Sequence, residues 1–266
     1  MHKFHCMKKG FISFIFLFLI ADIFAQSMSK WSVGFSVNPM ICATFNTTTS
    51  NAIVPGTNQS FKAYNDSIKG KESYRLNVLS ATFWFNYSLN RKWEIQAGIG
   101  YMEVGFQRNQ TNIKFDDQLY PGIGSGKLEE LTSVSRNIDY NYRFQYLHLP
   151  LLFNYHIKRS GDFRINYSLT GGLAVDVLLK HKMTANLDFD LNGQHTFNID
   201  STGYNGRLFA LNIILGGRID YKIDKKLTLM VQPVFGFYPI SVSSVPISVY
   251  PFYFTVHTGL VYEFAN

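Results

Sequence analysis

The amino-acid sequence predicts an all-β fold: a closed antiparallel transmembrane β-barrel of eight strands, with short turns at one end and longer loops at the other. Three observations predict it. After residue 30 the apolar residues recur with a period of two, not 3.6. The alternating segments all exceed the about 9–11 residues that a tilted strand needs to cross a bilayer, whereas soluble strands average about five or six. The connections between them alternate in length, which is the layout of a barrel whose turns face one side of a membrane and whose loops face the other.

The chain starts with a targeting pattern. Met7-Lys8-Lys9 is basic, Phe11 to Ile20 is apolar apart from Ser13, and Ala21-Asp22-Ile23-Phe24-Ala25 leads to Gln26. A charged start, a short apolar run and a small residue at the cut make a secretory signal peptide, with cleavage expected between Ala25 and Gln26. The apolar run is short for a membrane-spanning helix, which needs about 20 residues, so an uncleaved anchor is the weaker reading. No later stretch is long and apolar enough for such a helix. The mature chain, residues 26–266, is expected to form one domain, the barrel. Cys6 leaves with the presequence, so Cys42 stands alone and no internal disulfide can form.

Composition narrows the function classes. Aromatic residues make up 16% and charged residues 16%, against about a quarter charged in a soluble domain. Removing Lys3, Lys8, Lys9 and Asp22 takes the net charge from +7 to +5. The basic residues are scattered, without the clustered stripe of a nucleic-acid binder, so no nucleic-acid partner is expected.

The strands read in order as 31–44, 74–89, 93–106, 140–157, 163–179, 207–223, 227–242 and 252–264. The fifth alternates most cleanly. Phe163, Ile165, Tyr167, Leu169, Leu173, Val175 and Leu179 share one face, while Arg164, Asn166, Ser168, Thr170 and Asp176 share the other. The eighth puts Phe252, Phe254, Val256, Leu260 and Tyr262 on one side and His257, Gly259 and Glu263 on the opposite side. Residues 90–92, 158–162 and 224–226 are tight polar turns. Residues 45–73, 107–139, 181–206 and 243–250 are the other connections.

A sheet in lipid cannot leave edge N–H and C=O groups unpaired, so the strands must close into a ring. Tyr87, Trp93, Tyr155, Tyr167, Tyr221 and Tyr262 fall on outward faces near the turns, as an interfacial aromatic girdle requires. A soluble sandwich or lipocalin-like barrel would hide these apolar faces inside, and the opposite face carries too little charge to be its solvated surface. An even strand number puts both termini on the short-turn, periplasmic side of a Gram-negative outer membrane.

Tyr146-Leu147-His148-Leu149-Pro150-Leu151-Leu152, followed by Asn154-Tyr155, carries a resemblance. So do Gly171-Gly172-Leu173 with Leu178-Leu179, and the closing Gly259-Leu260-Val261-Tyr262-Glu263-Phe264. With these segments the chain resembles the PorT-like outer-membrane β-barrel family. It departs from the family's pattern at its end, where Ala265-Asn266 follows Phe264 in place of a terminal aromatic. The resemblance implies an integral outer-membrane protein without enzymatic activity; some members of that family are accessory factors for secretion or gliding.

By the period-two phasing, Glu94, Gln96, Arg164, Arg218, Asp220, Lys222 and Glu263 point into the barrel near its short-turn end. An eight-stranded barrel is just wide enough to be filled by side chains, and charges inside it must pair. Glu94, Arg164, Arg218, Asp220 and Glu263 are therefore expected to form a structural charge network, with Arg164 meeting Glu94 or Glu263. The sharper reading of the same residues is an ion path or gate. His148, His156, His181, His195 and His257 raise the possibility of a lipid-modifying barrel enzyme, but no G-x-S-x-G elbow and no metal-ligand spacing accompany them. His148 and His257 phase inward. Asp116-Asp117 and Glu129-Glu130 lack a calcium-loop pattern. Leu187, Phe189 and Leu191 alternate with Asp188 and Asp190, as if a hairpin continued above the membrane.

The sequence thus leaves a structural, interaction or secretion-accessory barrel as the first reading and a narrow channel or transporter as the second. No cofactor and no metal are expected. The expected partners are membrane lipid and lipopolysaccharide, with other envelope or secretion proteins beyond them.

Overall fold

The computed structural model describes residues 30–48, 50–52, 60, 62, 72–73, 75–77, 80–110, 136–158, 164–189, 193–199, 206–243 and 247–264. The presequence, Asp116-Asp117 and Glu129-Glu130 lie outside them. The strands are β1 (Trp31–Val37), β2 (Met40–Thr47), β3 (Glu72–Ser73), β4 (Arg75–Asn77), β5 (Ala81–Ser88) and β6 (Trp93–Gln110). They continue with β7 (Arg136–Lys158), β8 (Ile165–Phe189), β9 (Gly193–Ile199), β10 (Phe209–Lys222), β11 (Leu227–Phe237) and β12 (Ser248–Glu263).

Neighbours pair in the order β1-β5-β6-β7-β8-β10-β11-β12, and β12 pairs back onto β1 from Ser32↔Glu263 to Val37↔Thr258. Every pairing is antiparallel, and the ring holds eight strands, as the alternation predicts. Closure leaves no edge in the wall.

The shorter elements extend this ring towards the loop end. Pro39 has no N–H to give to a ladder, so the first wall strand is interrupted there. Asn38 donates its N–H to the Ser80 carbonyl at 2.8 Å, and β2 resumes beside β12 with Met40↔Thr255. β4 pairs with β2, β3 with β6, and β9 folds back on β8 from Met183↔Ile199 to Phe189↔Gly193. The β6–β7 and β8–β9 ladders therefore rise well past the sequence-based limits of 106, 140 and 179. Between β11 and β12 the chain leaves strand geometry at Tyr238 and re-enters at Ser248. There Ser241 and Ser243 bond locally, with Ser243 Oγ donating to the Ile247 carbonyl at 2.6 Å. Such local bonds compete with a sheet ladder, and Val242 and Ile247 are turned inward and buried.

Two turns at the other end share one device. Asn90 Oδ1 accepts from the N–H groups of Lys92 (2.8 Å) and Trp93 (2.9 Å), and Asp224 Oδ1 accepts from Lys226 (2.7 Å) and Leu227 (2.8 Å). Each side chain satisfies two turn amides and so fixes a tight hairpin.

The molecule is apolar outside and packed inside. Leu173 on β8 is 49% exposed and Thr170 on the opposite face is 5% exposed. Phe83, Phe85, Leu151, Phe153, Leu215, Phe235 and Phe254 share the outer wall. Rings mark its short-turn end: Trp31 with Tyr87 at 4.6 Å between centroids and Trp93 with Tyr155 at 4.9 Å, with exposed Tyr167, Tyr221 and Tyr262. Two apolar clusters fill the interior, one around Trp84, Leu152, Ile214 and Met230, the other nearer the loops around Phe106, Tyr142, Phe144 and Tyr238. Glycines make room for the largest rings. A Cβ at Gly98 would stand 2.8 Å from the Trp84 ring, and one at Gly236 would collide with the Tyr253 ring.

Candidate functional site

The polar groups of the lumen form stacked layers, each set by the inward positions of facing strands. The layer nearest the turns joins β6 to β10. Arg218 Nη1 donates to Glu94 Oε1 at 2.6 Å and Arg218 Nε donates to Asp220 Oδ1 at 2.8 Å. All three side chains are buried, and the guanidinium reaches two carboxylates at once, which its fork geometry allows. His156 on β7 stands with Nε2 3.7 Å from Glu94 Oε2 and Nδ1 2.7 Å from Ser168 Oγ.

A cavity of about 40 Å³ opens here, lined by Glu94, His156, Asn166, Arg218, Asp220 and Glu263 among others. Ser168, His156 and Glu94 set a hydroxyl, an imidazole and a carboxylate in a row. The Glu94 carboxylate is already held by Arg218, and the space suits a few waters, not an acyl chain.

The next layer is made of amides. Asn154 Nδ2 donates to Glu94 Oε1 (3.2 Å) and Gln96 Oε1 (3.0 Å), and Thr170 Oγ1 donates to Asn154 Oδ1 (2.7 Å). Gln232 Nε2 donates to Gln96 Oε1 and to Thr170 Oγ1, both at 3.2 Å. Four strands are tied by side chains that are neutral at every pH of interest.

The third layer centres on Asp176, fully buried on β8. His148 Nδ1 lies 2.5 Å from its Oδ1; Tyr238 Oη donates to its Oδ2 at 2.7 Å, and Asn212 Nδ2 at 3.4 Å. Asn212 Nδ2 also donates to Tyr253 Oη at 2.8 Å. Beside it Trp84 Nε1 donates to Ser36 Oγ at 2.9 Å, and His257 stacks on the Trp84 ring at 5.5 Å. Nearer the loops, Arg75 pairs with Glu103, which also accepts from Tyr101 Oη (3.2 Å) and Gln145 Nε2 (2.9 Å).

Of the charges expected to meet, the structure brings together Glu94, Arg218 and Asp220, with Gln96 one layer above. Lys222 is half-buried at the mouth. Two placements correct the sequence reading. Arg164 is exposed: it precedes the first residue of β8, where the pleat no longer dictates its direction, and among the described residues its carbonyl alone is held, accepting the Lys222 N–H at 2.7 Å. Glu263 lines the mouth half-buried and makes no ion pair among the described residues. The cation that meets Glu94 is Arg218, not Arg164. His148 and His257 are buried inside. His181 is half-buried near the loops, and His195 lies on β9.

Sequence reasoning passed over Asp176, Arg75 and Glu103. The first had a usable signal, since Asp176 occupies an inward position of the cleanest alternating strand, between Val175 and Val177. Its partner Tyr238 carried the same signal, since it keeps the inward parity of Thr228, Met230, Gln232 and Val234 within the segment read as 227–242.

A closed ring of long antiparallel strands, with a lipid-compatible wall, aromatic rings at one rim and polar layers inside, defines a transmembrane β-barrel. The chain belongs to the family described as outer membrane protein beta-barrel domain, whose model it matches over residues 24–242. It is an integral protein of the outer membrane. Solved structures similar to it include the attachment invasion locus protein Ail of Yersinia pestis, at 8% identity and TM-score 0.35, covering 88% of this chain and 99% of that one. OprG from Pseudomonas aeruginosa aligns at 9% identity and TM-score 0.39, covering 90% and 98%. The outer membrane protease OmpT from Escherichia coli aligns at 11% identity and TM-score 0.40, covering 90% and 98%. No curated protein matches the chain.

Proposed function

We propose that this protein is a non-conducting, non-catalytic barrel that presents its rims and loops to other components of the envelope, in a structural, interaction or secretion-accessory role. One observation carries the reading: among the described residues, and apart from the cavity of about 40 Å³ at the mouth, side chains fill the lumen through the Arg218, Gln96 and Asp176 layers and the two apolar clusters. Eight strands enclose only enough space for such a filling. A filled interior leaves the outer rims as the surfaces that other molecules can reach. The histidines support the non-catalytic part: His148 is engaged by Asp176, His156 faces a cavity too small for a lipid chain, and His257 lies against Trp84. The resemblance of the 146–155 strand to the PorT-like family points the same way. Membrane lipid and lipopolysaccharide are the proposed immediate partners of the outer wall.

The test is electrical. Purified protein folded into planar bilayers is expected to pass no stable current. Reproducible steps of nanosiemens size would replace this reading with the narrow channel.

A further inference from the structure

We propose that the periplasmic rim binds the phosphate headgroups of anionic glycerophospholipids in the inner leaflet of the outer membrane, through a ring of basic side chains set just below the aromatic girdle. Among the described residues the exposed cations at this end are Lys30, Arg91, Lys92, Arg164, Lys225 and Lys226. Among the described residues, and apart from Glu94 and Asp220, which Arg218 holds, two carboxylates stand against them. Asp224 is committed to the amides of its own turn, and Glu263 is half-buried in the lumen mouth. The rim therefore shows positive charge to its surroundings.

The distribution of these cations selects the partner. Lys30 precedes β1, Arg91 and Lys92 join β5 to β6, Arg164 precedes β8, and Lys225 and Lys226 join β10 to β11. In the ring order these stations surround the barrel. A globular acidic protein would dock on one side; a shell of lipid meets every side. The aromatic rings set the height. Trp31 and Trp93 directly follow Lys30 and Lys92, and Tyr167 and Tyr221 lie three and four residues from Arg164 and Lys225. At about 3.3 Å per residue the cations stand one to four residues beyond the rings on the water side, and a flexible lysine or arginine stem spans the shorter of these gaps. Rings sit at the glycerol level of a leaflet, so the cations fall at its phosphates.

The same side chains are not needed to shape their turns. Asn90 and Asp224 fix both hairpins through backbone amides, and Arg91, Lys92, Lys225 and Lys226 make no ion pair among the described residues. They can be neutralised without disturbing the fold.

The experiment uses tryptophan quenching. Of the three tryptophans, Trp31 and Trp93 lie on the outer wall at this rim, and buried Trp84 supplies an unquenched baseline. The mature barrel is folded into phosphatidylcholine vesicles that contain a minor fraction of chain-brominated phosphatidylglycerol or of chain-brominated phosphatidylcholine. Phosphatidylglycerol is expected to be enriched around the wild-type rim by about threefold or more at low salt, and the enrichment to fall towards one at about 0.5 M salt. The variant Arg91→Gln, Lys92→Gln, Lys225→Gln, Lys226→Gln is expected to lose at least half of it, while Lys92→Arg, Lys225→Arg, Lys226→Arg keeps it. Heat-modifiable migration verifies folding. Should the neutralised variant not fold, the salt series on the wild type decides. Equal quenching by the two labelled lipids, or a preference that neither salt nor neutralisation reduces, would overturn the proposal. Absence of quenching by either lipid would contradict membrane insertion itself, and the conductance of the lumen is a separate readout.

Discussion

Arg218 on β10 crosses the mouth of the lumen to Glu94 on β6, with Nη1 2.6 Å from Oε1, while its Nε holds Asp220 two residues along its own strand. The two strands are not neighbours in the wall: β7 and β8 lie between them. The pair is a strut across the barrel, and the second carboxylate fixes the angle of the guanidinium.

Removing the strut from one end leaves buried charge without its partner. Arg218→Ala is expected to destabilise the folded barrel by about 3–5 kcal/mol in urea unfolding from lipid vesicles. Glu94→Gln with Arg218→Ala removes both charges and is expected to lose less than the sum of the two single losses. A double variant whose loss equals the sum of the single losses would show that the two charges are not coupled.

Arg164 serves as the contrast. Its side chain is exposed, so Arg164→Ala is expected to change stability by no more than about 0.5 kcal/mol, and to add independently to Glu94→Gln. A loss as large as that of Arg218→Ala would restore Arg164 to the lumen.

The turn caps give a pH signature. Hydrogen bonds from the Lys226 and then the Leu227 amide hold the Asp224 carboxyl below the usual carboxylate range. A group with a lowered folded-state pKa stabilises above its unfolded pKa, and this contribution disappears as pH falls through the folded value. Asp224→Ala is therefore expected to lower the urea midpoint at neutral pH, with the gap to wild type closing in acid. Asn90 caps the equivalent amides with a group that does not titrate, so the gap for Asn90→Ala is expected to stay constant over the same pH series.

Tyr238 pins the segment between β11 and β12 into the lumen through its 2.7 Å bond to Asp176. Tyr238→Phe removes one bond to a buried carboxylate that keeps His148 and Asn212, at an expected cost of about 1.5–3 kcal/mol. Amide hydrogen exchange is expected to rise first at Val242 and Val249, whose N–H groups close this segment. Unchanged exchange there would mean that apolar packing of Val242 and Ile247 alone holds it.

The fold was legible in the sequence because lipid on one side and packed side chains on the other impose a strict period of two. Leu169, Thr170 and Leu173 therefore took their faces from alternation alone. The strand count and the turns followed for the same reason, since residues 90–92 and 224–226 interrupt the period with polar residues. The phasing also placed Glu94, Arg218 and Asp220 inside. It could not place Arg164, because alternation states a direction only within the ladder, and that residue stands one position before β8. Nor could it find that the strand read as 227–242 ends at Phe237, beyond which hydroxyl bonds of Ser241 and Ser243 replace the ladder. Pairing across the lumen was equally hidden: Glu94 and Arg218 are 124 residues apart, and only closure of the ring brings them together.

The central claim is an inside-out molecule, with a wall that faces lipid and an interior that admits no bulk water. Single cysteines on β8, in a Cys42→Ala background, test both halves in one series. At positions 169, 173 and 175, spin labels are expected to collide more with oxygen than with a water-soluble nickel complex. Thiols at positions 170 and 174 are expected to resist a water-soluble maleimide until the barrel is unfolded. Rapid labelling at 170 and 174 in the folded barrel, or nickel access at 169, 173 and 175, would contradict the account.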